Sequence, residues 1–298
     1  MSQVKPLKQA GVLSMAVIET KNVTYTYPGS TKQSITNISI SIEKGEFTLI
    51  TGPSGCGKTT LCRCFNGLIP HFYQGELEGK TLISGMNVVD HPIHELAKRV
   101  GFVFQNPENQ LFALSVEKDV AFGLENLGLP REEMRKKVDW ALNLTGIYDL
   151  RERAPYELSG GQQQRVAIAS VLAMQPDVIV LDEPTSFLDP LSAKKIFEVI
   201  YDLNKKLSIT VVLVEHRLDL TAKYANHIII MDEGRVVQDG DPREILRTEE
   251  ARLVGVGIPK ATLLYQILKK DGAKLGETVP LSSDEMAAMI KEALGNHD

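Results

Sequence analysis

The stretch Gly52-Pro53-Ser54-Gly55-Cys56-Gly57-Lys58-Thr59-Thr60 fits the pattern G-x-x-x-x-G-K-S/T and sits between the apolar run FTLIT and a helical stretch. Glycines let such a loop curl until its N–H groups face a β-phosphate, Lys58 reaches the β- and γ-phosphates, and the Thr59 hydroxyl is placed to ligate Mg²⁺. Downstream, the apolar run Val178-Ile179-Val180-Leu181 ends in Asp182-Glu183-Pro184. Asp182 is the expected Mg²⁺ partner at a strand end. Glu183 is free for proton transfer, and Pro184 predicts an extended Glu183 whose carboxylate faces an attacking water. Between these two motifs lies Leu158-Ser159-Gly160-Gly161-Gln162, a glycine turn opening a helix, which supplies a second set of N–H groups for an anion. One triphosphate and two such sites point to ATP held at a junction.

The elements that must position these residues follow from hydrophobic patterning. Residues 17–51 read as an antiparallel strand region, with Ile38, Ile40 and Ile42 alternating ahead of the turn Lys44-Gly45-Glu46 and a buried strand. Strand-sized apolar runs recur at 100–104, 178–181, 211–214 and 227–231, separated by helical stretches, as a mostly parallel α/β sheet requires. Residues 108–174 read as an inserted helical subdomain, in which 131–137 form a solvated face. After Gly240 the alternation stops. Leu263, Leu264, Ile267 and Leu268 then fall on one helical face, so residues 246–298 form a small helical appendage.

Composition bounds the class. The chain has 298 residues, 43% hydrophobic content and a net charge of −5, which suits a globular core and gives no footprint for nucleic acid. No apolar run reaches the roughly 18 residues of a spanning helix. Residues 1–16 read as a flexible tail, with Met1 and Met15 as alternative starts. Cys56, Cys62 and Cys64 lack paired C-x-x-C spacing, so they indicate neither a zinc site nor a disulfide framework, and free thiols suit a reducing compartment.

With the phosphate loop, LSGGQ and LDEP in that order, residues 17–245 resemble the nucleotide-binding domain of ATP-binding cassette proteins. The fold implied is α/β: a P-loop NTPase core with a mostly parallel sheet, an antiparallel β subdomain, the inserted helical subdomain and the C-terminal appendage. Further positions match one at a time. Tyr27, ahead of Pro28-Gly29, resembles the aromatic that stacks on adenine, and Gln105, closing GFVFQ, resembles the glutamine that senses Mg²⁺ and water. Ser186-Phe187-Leu188-Asp189 corresponds to the segment that crosses to the opposite subunit, with Phe187 in place of the usual alanine. His216, after VVLV, matches the histidine that contacts the γ-phosphate.

The resemblance implies ATP and Mg²⁺ as cofactors, with two ATPs between two subunits arranged head to tail. The signature of each then completes the other's site, with Glu183 as base. The stretches VGFVFQNPENQLFALSVEKDVAFGLENLGLP and VLVEHRLD look most like the ATPases of energy-coupling-factor transporters. Those importers of vitamins or transition-metal ions join two ATPases, identical or related, to a transmembrane coupling subunit and a substrate-capturing membrane subunit, at the cytoplasmic side of the membrane. In that group the C-terminal region supports ATPase pairing. The competing readings are the ATPase of another transporter type and a soluble cassette protein acting on nucleic acid or ribosomes; the long coiled-coil insertion or second cassette typical of the latter is absent from the sequence.

Overall fold

A computed structural model describes residues 16–295. The tail expected over residues 1–16 therefore lies outside the described residues, except for Ala16. The chain begins with β1 (Ala16–Thr26), β2 (Ile35–Ile38), β3 (Ser41–Glu43) and β4 (Phe47–Thr51), followed by the phosphate loop and α1 (Lys58–Phe65). Next come α2 (Leu68–His71), β5 (Glu76–Ile83), β6 (Met86–Asn87), α3 (Ile93–Leu96) and β7 (Val100–Val103). The insert consists of α4 (Val116–Asn126), α5 (Arg131–Leu144) and α6 (Gly160–Ala173). The core resumes with β8 (Val178–Asp182), α7 (Pro190–Leu207), β9 (Thr210–Val214), α8 (Leu218–Thr221), β10 (His227–Asp232) and β11 (Arg235–Gly240). After α9 (Pro242–Ile245) the appendage contains α10 (Glu249–Leu253), α11 (Lys260–Lys270) and α12 (Ser283–Gly295).

Among the described residues the main sheet runs β11-β10-β4-β9-β8-β7, parallel except for β11, and a second, antiparallel sheet runs β2-β1-β5-β6 with β3 on β1. Every residue of β4, β8 and β9 is buried, which is why these strands are continuous apolar, β-branched runs. Alternation still assigns the faces. Val211 and Leu213 pack with the α6 and α7 residues Val166, Leu172, Ile196 and Ile200, whereas Val212 and Val214 pack with Leu61 and Phe65 of α1 and with Ile18 and Val23 of β1. Register aligns the strand ends: Ile50 and Asp182 both lie opposite Val214. The loops after β4, β8 and β9 therefore emerge together at the carboxyl edge, the usual ligand crevice of an open α/β sheet.

The insert joins the core through α6, with Val120, Leu124, Val138 and Leu142 packed in the same cluster as Val166 and Leu172. The appendage has its own cluster of Ala261, Tyr265, Leu275, Val279 and Met286, but Ile258 and Leu281 are buried in the main core. Arg243 forms an ion pair with Glu285 at 2.7 Å, tying α12 to α9. The single apolar face expected for α11 is divided: Leu263 packs on the main core, Leu268 on the appendage cluster, and Leu264 and Ile267 are exposed. Among the described residues no helix is long and apolar enough to cross a membrane.

Candidate ATP site

The phosphate loop turns on backbone conformations open to glycine. Gly52 has φ 146° and Gly57, which precedes α1, has φ 104°. A Cβ on Gly52 would meet the Met231 carbonyl oxygen at 2.0 Å, and one on Gly57 the Ser34 carbonyl oxygen at 2.6 Å, so only glycine fits either place. The loop borders a cavity of about 320 Å³ lined by Ser54, Gly55, Gly57, Lys58, Thr59 and Thr60 on one side and by Ser30, Lys32, Gln33, Ser34, Glu233, Gly234 and Glu183 on the others. Pro53 and Cys56 belong to the same loop, whose Cys56 carbonyl accepts from Gly234 N–H at 3.0 Å. Lys58 is buried, its ammonium donating to the carbonyls of Gly52 at 3.0 Å and Pro53 at 2.8 Å. Its third N–H faces Cys56 Sγ at 3.9 Å, a weak acceptor that a phosphate oxygen would outcompete.

The residues at the end of β8 fit a divalent cation. Burial pushes the Asp182 carboxyl above the ordinary carboxylate range, against an opposing hydrogen bond from Thr59, and Asp182 Oδ1 is buried with no hydrogen-bond partner. An unpaired buried carboxylate oxygen beside a hydroxyl at the mouth of a phosphate loop is a hard-oxygen donor set for a cation of the Mg²⁺ type.

Glu183 departs from the extended conformation that Pro184 suggested: its φ is 48°, in the left-handed region. The physical reason is local bonding. Glu183 N–H donates to the Val214 carbonyl at 3.1 Å and the Glu183 carbonyl accepts from Ser186 N–H at 3.2 Å, closing a tight turn that overrides the pre-proline preference. That turn aims the carboxylate at its partners. Glu183 Oε1 lies 3.0 Å from His216 Nε2, and Oε2 accepts from Gln105 Nε2 at 3.0 Å and Ser186 Oγ at 3.2 Å. The His216 hydrogen bond holds the Glu183 carboxyl below the ordinary range, against the opposing effect of burial. Gln105 is thus brought to Glu183, but its neighbouring cavity is a second one, shared with Asn106, Gly160, Gln164 and Phe187.

Tyr27 does not line the Lys58 cavity. Its ring meets Tyr25 edge-on at 4.8 Å and Tyr73 at 6.1 Å, and its hydroxyl bonds Thr60 Oγ1 at 3.3 Å and accepts from Arg63 at 2.9 Å. The signature turn is also elsewhere. Ser159 caps α6, its Oγ accepting from Gln162 N–H at 3.4 Å while Gln162 Oε1 accepts from Ser159 N–H at 2.9 Å. Ser159 and Gly160 are exposed, Gly161 is half-buried, and none of them lines the cavity of Lys58. Asp189, also exposed, caps α7 by accepting from Leu191 and Ser192 N–H at 3.0 and 3.1 Å.

Lys32, Gln33, Ser34 and Glu233 were not among the residues that sequence reasoning marked. They reach the cavity because the turn between β10 and β11 bonds back to the start of β2, Thr36 N–H donating to the Gly234 carbonyl at 2.8 Å. No local pattern announces such a long-range meeting.

Comparison with known proteins identifies the family. The ABC transporter family profile matches residues 35–186. A Pyrococcus abyssi protein classed as an ABC transporter ATP-binding protein is 46% identical over 94% of this chain and 100% of its own length. The energy-coupling factor transporter ATP-binding protein EcfA1 of Clostridium perfringens is 41% identical over 91% of this chain and 96% of its own. Among solved structures, cbiO1 of Clostridium perfringens, part of the ABC transporter complex cbiONQ, superposes with a TM-score of 0.72 at 37% identity, covering 84% of this chain and 99% of that one. The dimeric ATP-binding cassette MJ0796 bound to ADP and Pi gives 0.66 at 33% identity, covering 76% and 99%. The chain belongs to the ABC transporter family as an ATP-binding, ATP-hydrolysing subunit.

Proposed function

We propose that this chain is the ATP-hydrolysing subunit of an energy-coupling-factor importer, working as a head-to-tail dimer with itself or a related ATPase. One observation carries the reading: Glu183 is held between His216 and Gln105 at the wall of the Lys58 cavity, while Ser159–Gly161 lies outside that cavity. A triphosphate lying against Lys58 would meet the signature of a facing subunit, so one subunit by itself holds half of each site. Thr59 and Asp182 would hold Mg²⁺, with Gln105 adjoining them through Glu183. When bound, the cation neutralises charge on the β- and γ-phosphates.

Glu183 then accepts the proton of a water whose oxygen attacks the γ-phosphorus, as the bond to the ADP oxygen breaks. His216 orients the Glu183 carboxylate and stands ready for the γ-phosphate, and Lys58 and the facing Ser159–Gly161 turn balance the developing charge. Tyr27 is the proposed adenine platform, which requires its ring to present a face beyond the contacts it makes with Tyr25 and Tyr73. Asp189 and Phe187 meet the facing subunit.

The EcfA1 and cbiO1 likenesses support coupling to a transmembrane subunit and a substrate-capturing membrane subunit, with a vitamin or transition-metal ion as cargo and a peripheral place on the cytoplasmic face of the membrane. Cargo choice would rest with the capture subunit. Purification in detergent from the native membrane tests this: a stoichiometric hydrophobic subunit is expected, and copurifying nucleic acid in its place would refute it.

A further inference from the structure

Glu215 is a carboxylate at the end of the all-buried strand β9 and is itself only 4% exposed. Both of its oxygens are taken. Oε1 accepts from the N–H groups of His216 at 2.9 Å and Arg217 at 3.1 Å, and Oε2 accepts from the hydroxyl of the wholly buried Thr185 at 2.7 Å. Arg217 supplies the countercharge, its Nε lying 3.7 Å from Oε1, and its guanidinium also donates to the carbonyl and hydroxyl of Thr185 and to the Leu188 carbonyl at 3.4 Å. A buried ionised carboxylate persists only when paired and hydrogen-bonded in this way.

The connections run between two turns that carry the proposed chemistry. Thr185 lies in the turn whose Glu183 and Ser186 bond each other, and Glu215 lies in the turn that presents His216. Glu215 N–H donates to the Ile50 carbonyl at 3.2 Å, anchoring the second turn to the strand that enters the phosphate loop. We infer that Glu215, with Thr185 and Arg217, is a positioning bracket that fixes the distance between His216 and Glu183 and ties both to the segment from Leu188 to Asp189. A shift of that segment draws on the Thr185 and Leu188 carbonyls held by Arg217, and through Glu215 it moves His216 relative to Glu183. None of the three bracket residues lines the cavity of Lys58, so the bracket acts on turnover and leaves nucleotide binding alone.

This inference rests on Glu183 being the base, and the test separates the two. Thr185→Val removes the hydroxyl at constant size, Thr185→Ser keeps it, and Glu215→Gln removes the charge but keeps an acceptor for the two N–H groups. Steady-state ATP hydrolysis, ATP affinity and melting temperature are measured for the full chain carrying each change. In Thr185→Val a roughly tenfold fall in kcat is expected, the consequence of losing the hydroxyl's charge-assisted hydrogen bonds to Glu215 and from Arg217, with ATP affinity within about twofold. Thr185→Ser should restore the rate, and Glu215→Gln should lower kcat without weakening ATP binding. Wild-type turnover in Thr185→Val or Glu215→Gln overturns the bracket, as does equal loss in Thr185→Val and Thr185→Ser, or a parallel loss of ATP affinity. Should Thr185→Val fail to fold, Glu215→Gln decides. Wild-type turnover in Glu183→Gln would remove the base reading whatever the bracket variants do.

Discussion

His216 Nε2 stands 3.0 Å from Glu183 Oε1, although the two residues are 33 positions apart and leave the ends of different strands, β9 and β8. The parallel register that sets Asp182 opposite Val214 produces this meeting, because Glu183 follows β8 directly and His216 follows β9 after the single residue Glu215. His216 is exposed, and Glu183 lines the wall of the Lys58 cavity.

Glu183→Gln should bind ATP as well as the unaltered protein and lose turnover by about a hundred- to ten-thousand-fold, the range for removing a general base. The carboxamide preserves size and can still accept from His216 or Gln105, so the turn should survive. Single-turnover hydrolysis and nucleotide titration measure the two halves separately. A rate near wild type would place the base elsewhere.

Lys58→Ala should weaken ATP binding by about 10- to 100-fold, the loss of a charge-assisted contact to phosphate. The same change strips the Gly52 and Pro53 carbonyls of their shared donor, so the loop loses an internal brace as well. Isothermal titration with ATP and with ADP separates the effects. Loss of the γ-phosphate contact weakens ATP more than ADP, whereas loss of the brace weakens both equally.

Much of this site is legible in the sequence because its chemistry demands rare residue types at fixed spacing. Gly52 and Gly57 are dictated by backbone geometry, and β4, β8 and β9 by continuous burial. The strand β5 was not legible: Glu76, Glu78 and Lys80 are exposed, and its pairing with β1 supplies what its own side chains do not. The conformation of Glu183 ran against its Pro184 neighbour because bonds to Val214 and Ser186 outweigh a local preference. Tyr27 stands out in the sequence as an aromatic ahead of Pro28-Gly29, yet its partners Thr60, Arg63 and Tyr73 lie 33 or more residues away, beyond any local pattern. Glu215 carried one signal, a lone carboxylate closing an apolar strand immediately before His216.

The appendage supplies a further prediction. Removing it whole would also delete Ile258 and Leu281, which are buried in the main core, so truncation would confuse pairing with stability. Leu264 and Ile267 of α11 are 42% and 57% exposed and can be changed without opening that core. Under the pairing role that the family resemblance implies for this region, the double substitution Leu264→Ser with Ile267→Ser should raise the dimer dissociation constant at least about tenfold, equivalent to burying roughly 55 Å² of apolar surface. The melting temperature of the monomer should stay put. Sedimentation velocity across a concentration series reads the constant, and an unaltered value would confine the appendage to packing on its own domain.

His227 gives the fold a pH dependence at the edge of the sheet opposite the site. Its Nδ1 lies 3.0 Å from Glu46 Oε2 and its Nε2 bonds Asp239 Oδ1, so one imidazole joins the turn before β4 to β11. Burial opposes its charge, but the two carboxylates outweigh burial and push its pKa up to about 9 from 6.5. The folded state therefore binds a proton more tightly than the unfolded chain, so the stabilisation is complete below about pH 6.5 and is lost as pH rises through about 9. Its size is on the order of 1–3 kcal/mol, given a side chain that is mostly out of water. Urea denaturation of the wild type at pH 6 and at pH 9.5 should show that loss. His227→Gln keeps a hydrogen bond to each carboxylate at best and carries no proton to lose, so its stability should be lower at pH 6 and nearly level between the two values. Because His227 lies at the start of β10, far along the strand from Met231 and the phosphate loop, the KM for ATP at pH 7 should be unchanged by the substitution, and a slope that persists in His227→Gln would assign the titration to another group.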